Sequence, residues 1–157
     1  MHWRYRVDML EVEKIQNKFK RSEDRKQVVD FLHTHLGQFG DPKDQIDMSI
    51  EYALSEDAGR GGFVLVGRDE SGIVGAVVMN KTGMSGYIPD YLLVYIAVHN
   101  ERRGKGIGGK LMKEALSSCQ GDVALHVEYE NPAKRLYERL GFSSKYAEMR
   151  WYRAEQE

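Results

Sequence analysis

Four glycines, Gly104, Gly106, Gly108 and Gly109, fall within six residues, between the longest uninterrupted apolar run of the chain, Tyr91–Val98, and an amphipathic segment at 106–119. An eight-residue apolar run has the length of a buried strand. Ile107, Leu111, Met112, Ala115 and Leu116 fall on one face of the segment that follows, so the pattern predicts strand, glycine turn, helix. Glycine lets backbone approach a ligand closely, because no Cβ intervenes. The N–H groups of a helix's first turn lack internal partners and carry partial positive charge. Together these features make an anion site, most often for phosphate. Arg102, Arg103, Lys105 and Lys110 add basic side chains to it.

Three phosphate patterns compete for these residues. Gly104, Gly106 and Gly109 satisfy G-x-G-x-x-G. However, His99 to Arg103 separate the strand from the first glycine, where a dinucleotide fingerprint needs a tight turn. Gly104-x4-Gly109-Lys110 approaches the P-loop, but Leu111 stands where the Mg²⁺-binding hydroxyl belongs. Arg103-x-x-Gly106-x-Gly108 fits without such a conflict.

Along the rest of the chain, Trp3, Tyr5, Val7 and Met9 alternate with polar residues and predict a first strand. Ser22-Glu23-Asp24 reads as a helix start with a capping hydroxyl, followed by Val28, Phe31, Leu32, His35 and Leu36 at helical spacing and a stop at Gly37. Asp41-Pro42 opens a second helix with proline in its first position and an apolar stripe of Ile46, Ile50, Ala53 and Leu54. Strands at 63–67 and 73–79 form a hairpin across 68–72. The segment 81–89 reads as a mobile loop. A strand at 123–128, a short helix at 131–140 ended by Gly141, and a last strand at 146–153 complete the order. One sheet with helices packed on it, α/β or α+β, is expected, as a single domain over 1–157.

Composition bounds the function. Lys and Arg number 23 against 24 Asp and Glu, a formal net charge of -1, which argues against bulk electrostatic binding to nucleic acid. The single cysteine, Cys119, excludes an internal disulfide framework and a cysteine-based metal site. His33 and His35 are two apart on a helix and cannot face one metal, so no metal is expected. No apolar run approaches membrane-span length and no secretory leader is visible at the start, so the expectation is a cytoplasmic protein acting on a small molecule.

Ile96-Ala97-Val98-His99, followed by Arg103-Gly104-Lys105-Gly106-Ile107-Gly108-x-x-Leu111, resembles the acetyl-CoA pyrophosphate loop of the GCN5-related N-acetyltransferases (GNAT). Leu125-His126-Val127, then Asn131-Pro132-Ala133-Lys134-Arg135-Leu136-Tyr137-Glu138-Arg139-Leu140-Gly141-Phe142, looks like that family's second conserved block. The resemblance covers about residues 91–142. It implies a mixed, mostly antiparallel sheet flanked by helices and splayed between the strands near 91–98 and 123–128. The cofactor's pantetheine arm would lie in the gap.

The resemblance also implies roles for individual residues. Ile96 and Val98 would bond the pantetheine arm through their backbones. The amides of Arg103, Gly104, Lys105, Gly106, Ile107, Gly108, Gly109 and Lys110 would cradle the pyrophosphate. Asn131 matches a position that touches pantetheine or fixes the turn; a helix N-cap is its other reading, and the two can coexist. Tyr137 matches the usual general acid for the leaving thiolate, although it also lies on the apolar stripe of Ala133, Leu136 and Leu140. Family members commonly carry a glutamate near the position of Leu92. This chain departs from that pattern, and His126 occupies an alternative base position, with a solvent-facing strand histidine as its other reading. Glu128, Tyr95 and Asp90 are reserve bases.

The expected activity is acetyl transfer from acetyl-CoA to a primary amine by direct attack in a ternary complex. A non-catalytic acyl-CoA sensor or interaction domain stays open, as does, further off, a nucleotide-binding enzyme of another class. The acceptor, a small-molecule or peptide amine, would enter between the segment 23–57 and the loop 81–90. The last strand, with Trp151 and Tyr152, either finishes the sheet or pairs with a second copy as a homodimer.

Overall fold

Five strands form one sheet in chain order, β1 (Glu11–Ile15), β2 (Gly62–Asp69), β3 (Gly72–Lys81), β4 (Tyr91–Val98) and β5 (Val123–Leu125). All neighbours are antiparallel except β4 and β5, which are parallel. Helices α1 (Ser22–Leu36) and α2 (Lys43–Leu54) lie between β1 and β2, α3 (Ile107–Ser117) between β4 and β5, and α4 (Ala133–Arg139) after β5. The computed structural model describes residues 5–154. These divide into two units, one running up to Leu125 and one from His126 onward.

In the first unit the sheet is covered on both faces. On one, Val28, Phe31 and Leu32 of α1 and Ile46, Ile50 and Ala53 of α2 pack with Val64, Val66, Ala76, Val78 and Ala97. On the other, α3 buries Ile107, Leu111, Met112 and Ala115. Gly75 permits this close approach: a Cβ there would stand 2.4 Å from Leu111 Cδ1. Burying side chains of this size contributes roughly 1.5–3 kcal/mol each, which outweighs the weak capping of these helices. None of α1, α2 and α3 has a side-chain cap bond.

Strand β4 and the hairpin lie where the pattern predicts. The hairpin strands run longer, because Asp69 Oδ1 accepts from Ser71 N (2.7 Å) and so closes a turn of only Glu70 and Ser71. Ser22 is the first helical residue, not the cap, and Pro42 takes the N-cap position rather than the first helical one.

Three strand expectations are corrected. The first strand is Glu11–Ile15, while Val7–Met9 form a 3-10 turn. A ladder selects the later segment, because Ile15 pairs with Val64 and Glu13 Oε1 meets Arg68 Nη1 at 3.0 Å. Trp3 lies outside the described residues, as does His2. The strand predicted at 123–128 ends at Leu125. The strand predicted at 146–153 is absent: alternation marks apolar positions, but a strand exists only through a ladder, and none forms there. Tyr146, Met149, Trp151 and Tyr152 are exposed. The loop 82–90 is pinned at its base, where Thr82 N donates to Asp90 O (2.9 Å) and Thr82 Oγ1 to Pro89 O (2.7 Å).

Candidate active site

Strand β4 outruns its parallel neighbour. Pairing with β5 covers Tyr91, Leu92 and Leu93 only, and β4 continues to Val98. Which backbone groups face the open edge follows from the ladder on the other side. His99 N donates to Val74 O at 2.8 Å, so His99 faces β3. Antiparallel residues alternate in this respect, and Ala97 therefore also faces β3. Ile96 and Val98 turn their N–H and C=O to the open edge. A bulge interrupts the alternation at Val94, since Val78 pairs with Tyr95 and Met79 with Leu93. Past it the side chains change face, so that Tyr95 and Ala97 join the α1–α2 side.

The strand leads into the glycine loop. Gly104 (φ 76°) and Gly106 (φ 86°) are left-handed, and Gly106 is the N-cap of α3. A Cβ at Gly104 or Gly109 would meet nothing within 4 Å, so the space over the loop is open. The amides at the start of α3 thus face open space beside a stretch of β4 that has no ladder partner on that side. That arrangement fits an extended group ending in a pyrophosphate.

The basic side chains do other work than the sequence suggested. Arg103 Nη2 donates to the His35 carbonyl at the end of α1 (2.7 Å). Lys110 Nζ donates to the carbonyls of Val7 (3.3 Å) and Leu10 (3.2 Å). Arg102 pairs with Asp69 (3.3 Å) and Ser71 (3.2 Å). Burial raises the Asp69 carboxyl, but hydrogen bonds from Ser71, Tyr5 and Arg102 outweigh it and hold Asp69 at about 2. Three of the four cations therefore fasten the loop to α1, the N-terminal segment and the hairpin. Lys105 alone is exposed with no partner among the described residues.

His35 and His99, which no sequence signal linked, meet with ring centroids 4.2 Å apart and planes tilted 37°. Asp90, a reserve base, is a brace: its Oδ1 accepts from Asp122 N (3.1 Å), and it fills the space that Gly121 leaves open. Tyr95, the other reserve in this unit, donates its hydroxyl to Asp41 Oδ2 at 2.5 Å. Burial pushes the Cys119 thiol to about 11, which removes it as a nucleophile. A cavity of about 760 Å³ opens at the start of β4, the end away from the glycine loop, between the 55–62 and 81–84 loops. It is not part of the strand-edge site.

In the second unit Pro132, not Asn131, is the N-cap of α4, but Asn131 Oδ1 accepts from Ala133 N (2.9 Å) and so fixes the turn into the helix, while its amide nitrogen has no partner among the described residues. Tyr137 is 7% exposed, and its ring centroid stands 6.0 Å from that of Phe142. Gly141 (φ 99°) makes that return possible. The Tyr137 hydroxyl makes no hydrogen bond among the described residues, yet no fully buried side-chain oxygen there lacks a partner, so it reaches the surface. Burial pushes this phenol up to about 12. His126 and Glu128 are exposed and lie beyond the end of β5, so neither is a strand residue. Among the described residues no group of three or more His, Cys, Asp or Glu side chains could hold a metal, and no helix is long and apolar enough to cross a membrane.

Comparison with known proteins places this geometry. The profile of the acetyltransferase (GNAT) domain matches residues 60–144, just over half the chain. Solved structures of similar fold include an aminoglycoside N-acetyltransferase in complex with CoA (TM-score 0.67, 14% identity, covering 92% of this chain and 94% of that one). A ribosomal-protein-alanine N-acetyltransferase from Brucella melitensis biovar Abortus 2308 gives a TM-score of 0.60 at 18% identity, covering 91% of this chain and 98% of that one. A GNAT family acetyltransferase from Streptococcus pneumoniae TIGR4 gives 0.66 at 20%, covering 92% and 98%. At these identities the likeness is one of fold. Among curated proteins, the cysteine-rich protein 2-binding proteins of Mus musculus and Homo sapiens are 38% identical over 52 residues, 32% of this chain but only 7% of their own length. With its open β4 edge, its glycine loop and the matched profile, the chain belongs to the acetyltransferase (GNAT) domain family.

Proposed function

We propose that this protein is an acyl-CoA-dependent N-acetyltransferase that moves an acetyl group from acetyl-CoA to a primary amine while both are bound. The observation that carries this reading is the run of β4 beyond its last β5 partner, with Ile96 and Val98 presenting backbone groups at the open edge next to the glycine loop. Bound acetyl-CoA supplies an activated acyl thioester. Ile96 and Val98 hold its pantetheine arm as a ladder neighbour would. The amides of residues 103–109 hold its pyrophosphate, while that of Lys110, which the sequence also offered, is spent on the Gly106 carbonyl (3.1 Å); Lys105, without a partner among the described residues, adds a cation. A β4 N–H polarises the acyl carbonyl in the manner of an oxyanion hole.

Tyr137 acts at the leaving sulfur. Its phenol, at about 12, lies well above a thiol near ~8.5. Full proton transfer would therefore be uphill by roughly 5 kcal/mol at 1.36 kcal/mol per unit. The phenol instead keeps its proton and donates a hydrogen bond. Asn131 presents its amide nitrogen to the pantetheine while its oxygen holds the turn into α4 through Ala133 N. His126, an exposed imidazole, takes the proton of the attacking amine.

The test is acetyl transfer by the purified protein to a panel of polyamines, amino acids, peptide N-termini and drug-like amines. It is followed by CoA thiol release and by the mass of an acetylated product. Transfer to at least one acceptor supports the reading. Acetyl-CoA binding with transfer to none would contradict it and favour a sensor.

A further inference from the structure

The bulge at Val94 has an effect on the α1–α2 side of the strand. It turns Tyr95 to that face, where the hydroxyl reaches Asp41 at 2.5 Å. An aspartate just before a helix ordinarily caps it, but α2 has no side-chain cap bond and the Asp41 carboxylate is directed to the phenol instead. Nor is it neutralised: the adjacent Lys43 pairs with Asp30 (3.0 Å), Arg25 pairs with Asp47 (2.8 Å) and Glu51 (2.7 Å), and no cation among the described residues meets Asp41. An exposed carboxylate is thus fixed by a neutral donor, one tyrosine's reach from the strand whose edge is assigned to acetyl-CoA, with one oxygen and its whole charge unspent.

We propose that Asp41, held by Tyr95, anchors the positive charge of the acceptor, so that the acceptor is an amine bound as an alkylammonium rather than a neutral aromatic amine. The proposal rests on the acetyltransferase reading and adds the class of its second substrate. Asp41 is a recognition group. A carboxylate that keeps an ammonium protonated does not activate it, so its effect falls on KM and the proton leaves through another group. Tyr95 is a positioning residue that holds the carboxylate in one rotamer.

The experiment compares acetyl transfer to propylamine, a cation at neutral pH, with transfer to methoxyamine, which is neutral there. Spermidine is titrated into CoA-saturated protein as a readout free of turnover. Asp41→Asn should raise KM for propylamine about fivefold, the upper range of an exposed ion pair. It should weaken spermidine binding by a similar factor and leave kcat, methoxyamine transfer and acetyl-CoA affinity unchanged. Tyr95→Phe should give a smaller rise, and Asp41→Glu should restore part of the loss. Added salt should raise the propylamine KM of the parent and not of Asp41→Asn. Equal effects on both amines, no effect on either, or a parent that binds acetyl-CoA but engages neither propylamine nor spermidine would overturn the proposal alone. A parent that does not bind acetyl-CoA would overturn the acetyltransferase reading and the proposal with it.

Discussion

The His35 and His99 ring centroids stand 4.2 Å apart with the planes tilted 37°, and each ring accepts a backbone N–H through Nδ1: His35 from Asn100 and His99 from Glu101, both at 3.1 Å. A ring nitrogen that accepts cannot carry a proton, so protonating His35 at Nδ1 would break its bond from Asn100. Burial first, then the neighbouring His99 and the Arg103 guanidinium, lower the His35 pKa below its ordinary 6.5, against the opposing pull of Glu101. With the folded value below the unfolded one, His35 contributes stability in full above about 6.5, and that contribution is lost as pH falls through the folded value. We predict that acetyl-CoA affinity and thermal stability both fall on acidification from neutral pH, and that His35→Asn flattens the response. Parallel pH titrations of the two proteins check this, and identical profiles would reject it.

Gly106 holds a left-handed conformation at the head of α3. Gly106→Val should add roughly 1–2 kcal/mol of backbone strain and put a side chain over the amides. The expected outcome is loss of acetyl-CoA binding by more than about tenfold (roughly 1.4 kcal/mol), with the circular dichroism of the parent retained. Unimpaired binding would remove the loop from the cofactor site.

Tyr137→Phe removes one oxygen and leaves the packing against Phe142 in place. We predict a fall in kcat of about a hundredfold, the lower range for losing one preorganised hydrogen-bond donor to developing charge, with little change in acetyl-CoA affinity. Steady-state kinetics beside a binding titration separate the two, and an unchanged kcat would take Tyr137 out of the reaction.

Gly75 is a packing glycine with no role at the site. A Cβ there would overlap Leu111 Cδ1 and stand 3.3 Å from Ile107 Cγ2. Gly75→Val should cost about 1–3 kcal/mol through overpacking and loosen α3. Chemical denaturation measures the first effect, and a midpoint equal to the parent's would contradict the packing described.

What the sequence reveals about this fold depends on how local the determining physics is. Tyr91–Val98 and the glycine turn are legible because an uninterrupted apolar strand and a left-handed helix start are written in consecutive residues. The bounds of β1 are not. Alternation marks 5–9, whereas the apolar residues of 11–15, Val12 and Ile15, are three apart, and the choice is made by partners on β2 some fifty residues away. The basic residues mislead for the same reason: charge beside a phosphate loop suggests attraction, but Arg103 and Lys110 answer to carbonyls on α1 and the N-terminal segment. The Tyr95–Asp41 contact needs a bulge at Val94, and no residue type in that apolar run announces one.

The central claim is that the open edge of β4 and the glycine loop form an acetyl-CoA site, and calorimetric titration tests it most directly. Acetyl-CoA, ATP and NAD are each titrated into the parent and into Gly106→Val. The account predicts saturable one-to-one binding of acetyl-CoA, weakened by the substitution, with no comparable binding of NAD or ATP. Absence of acetyl-CoA binding, or equal binding by the folded Gly106→Val protein, would contradict it.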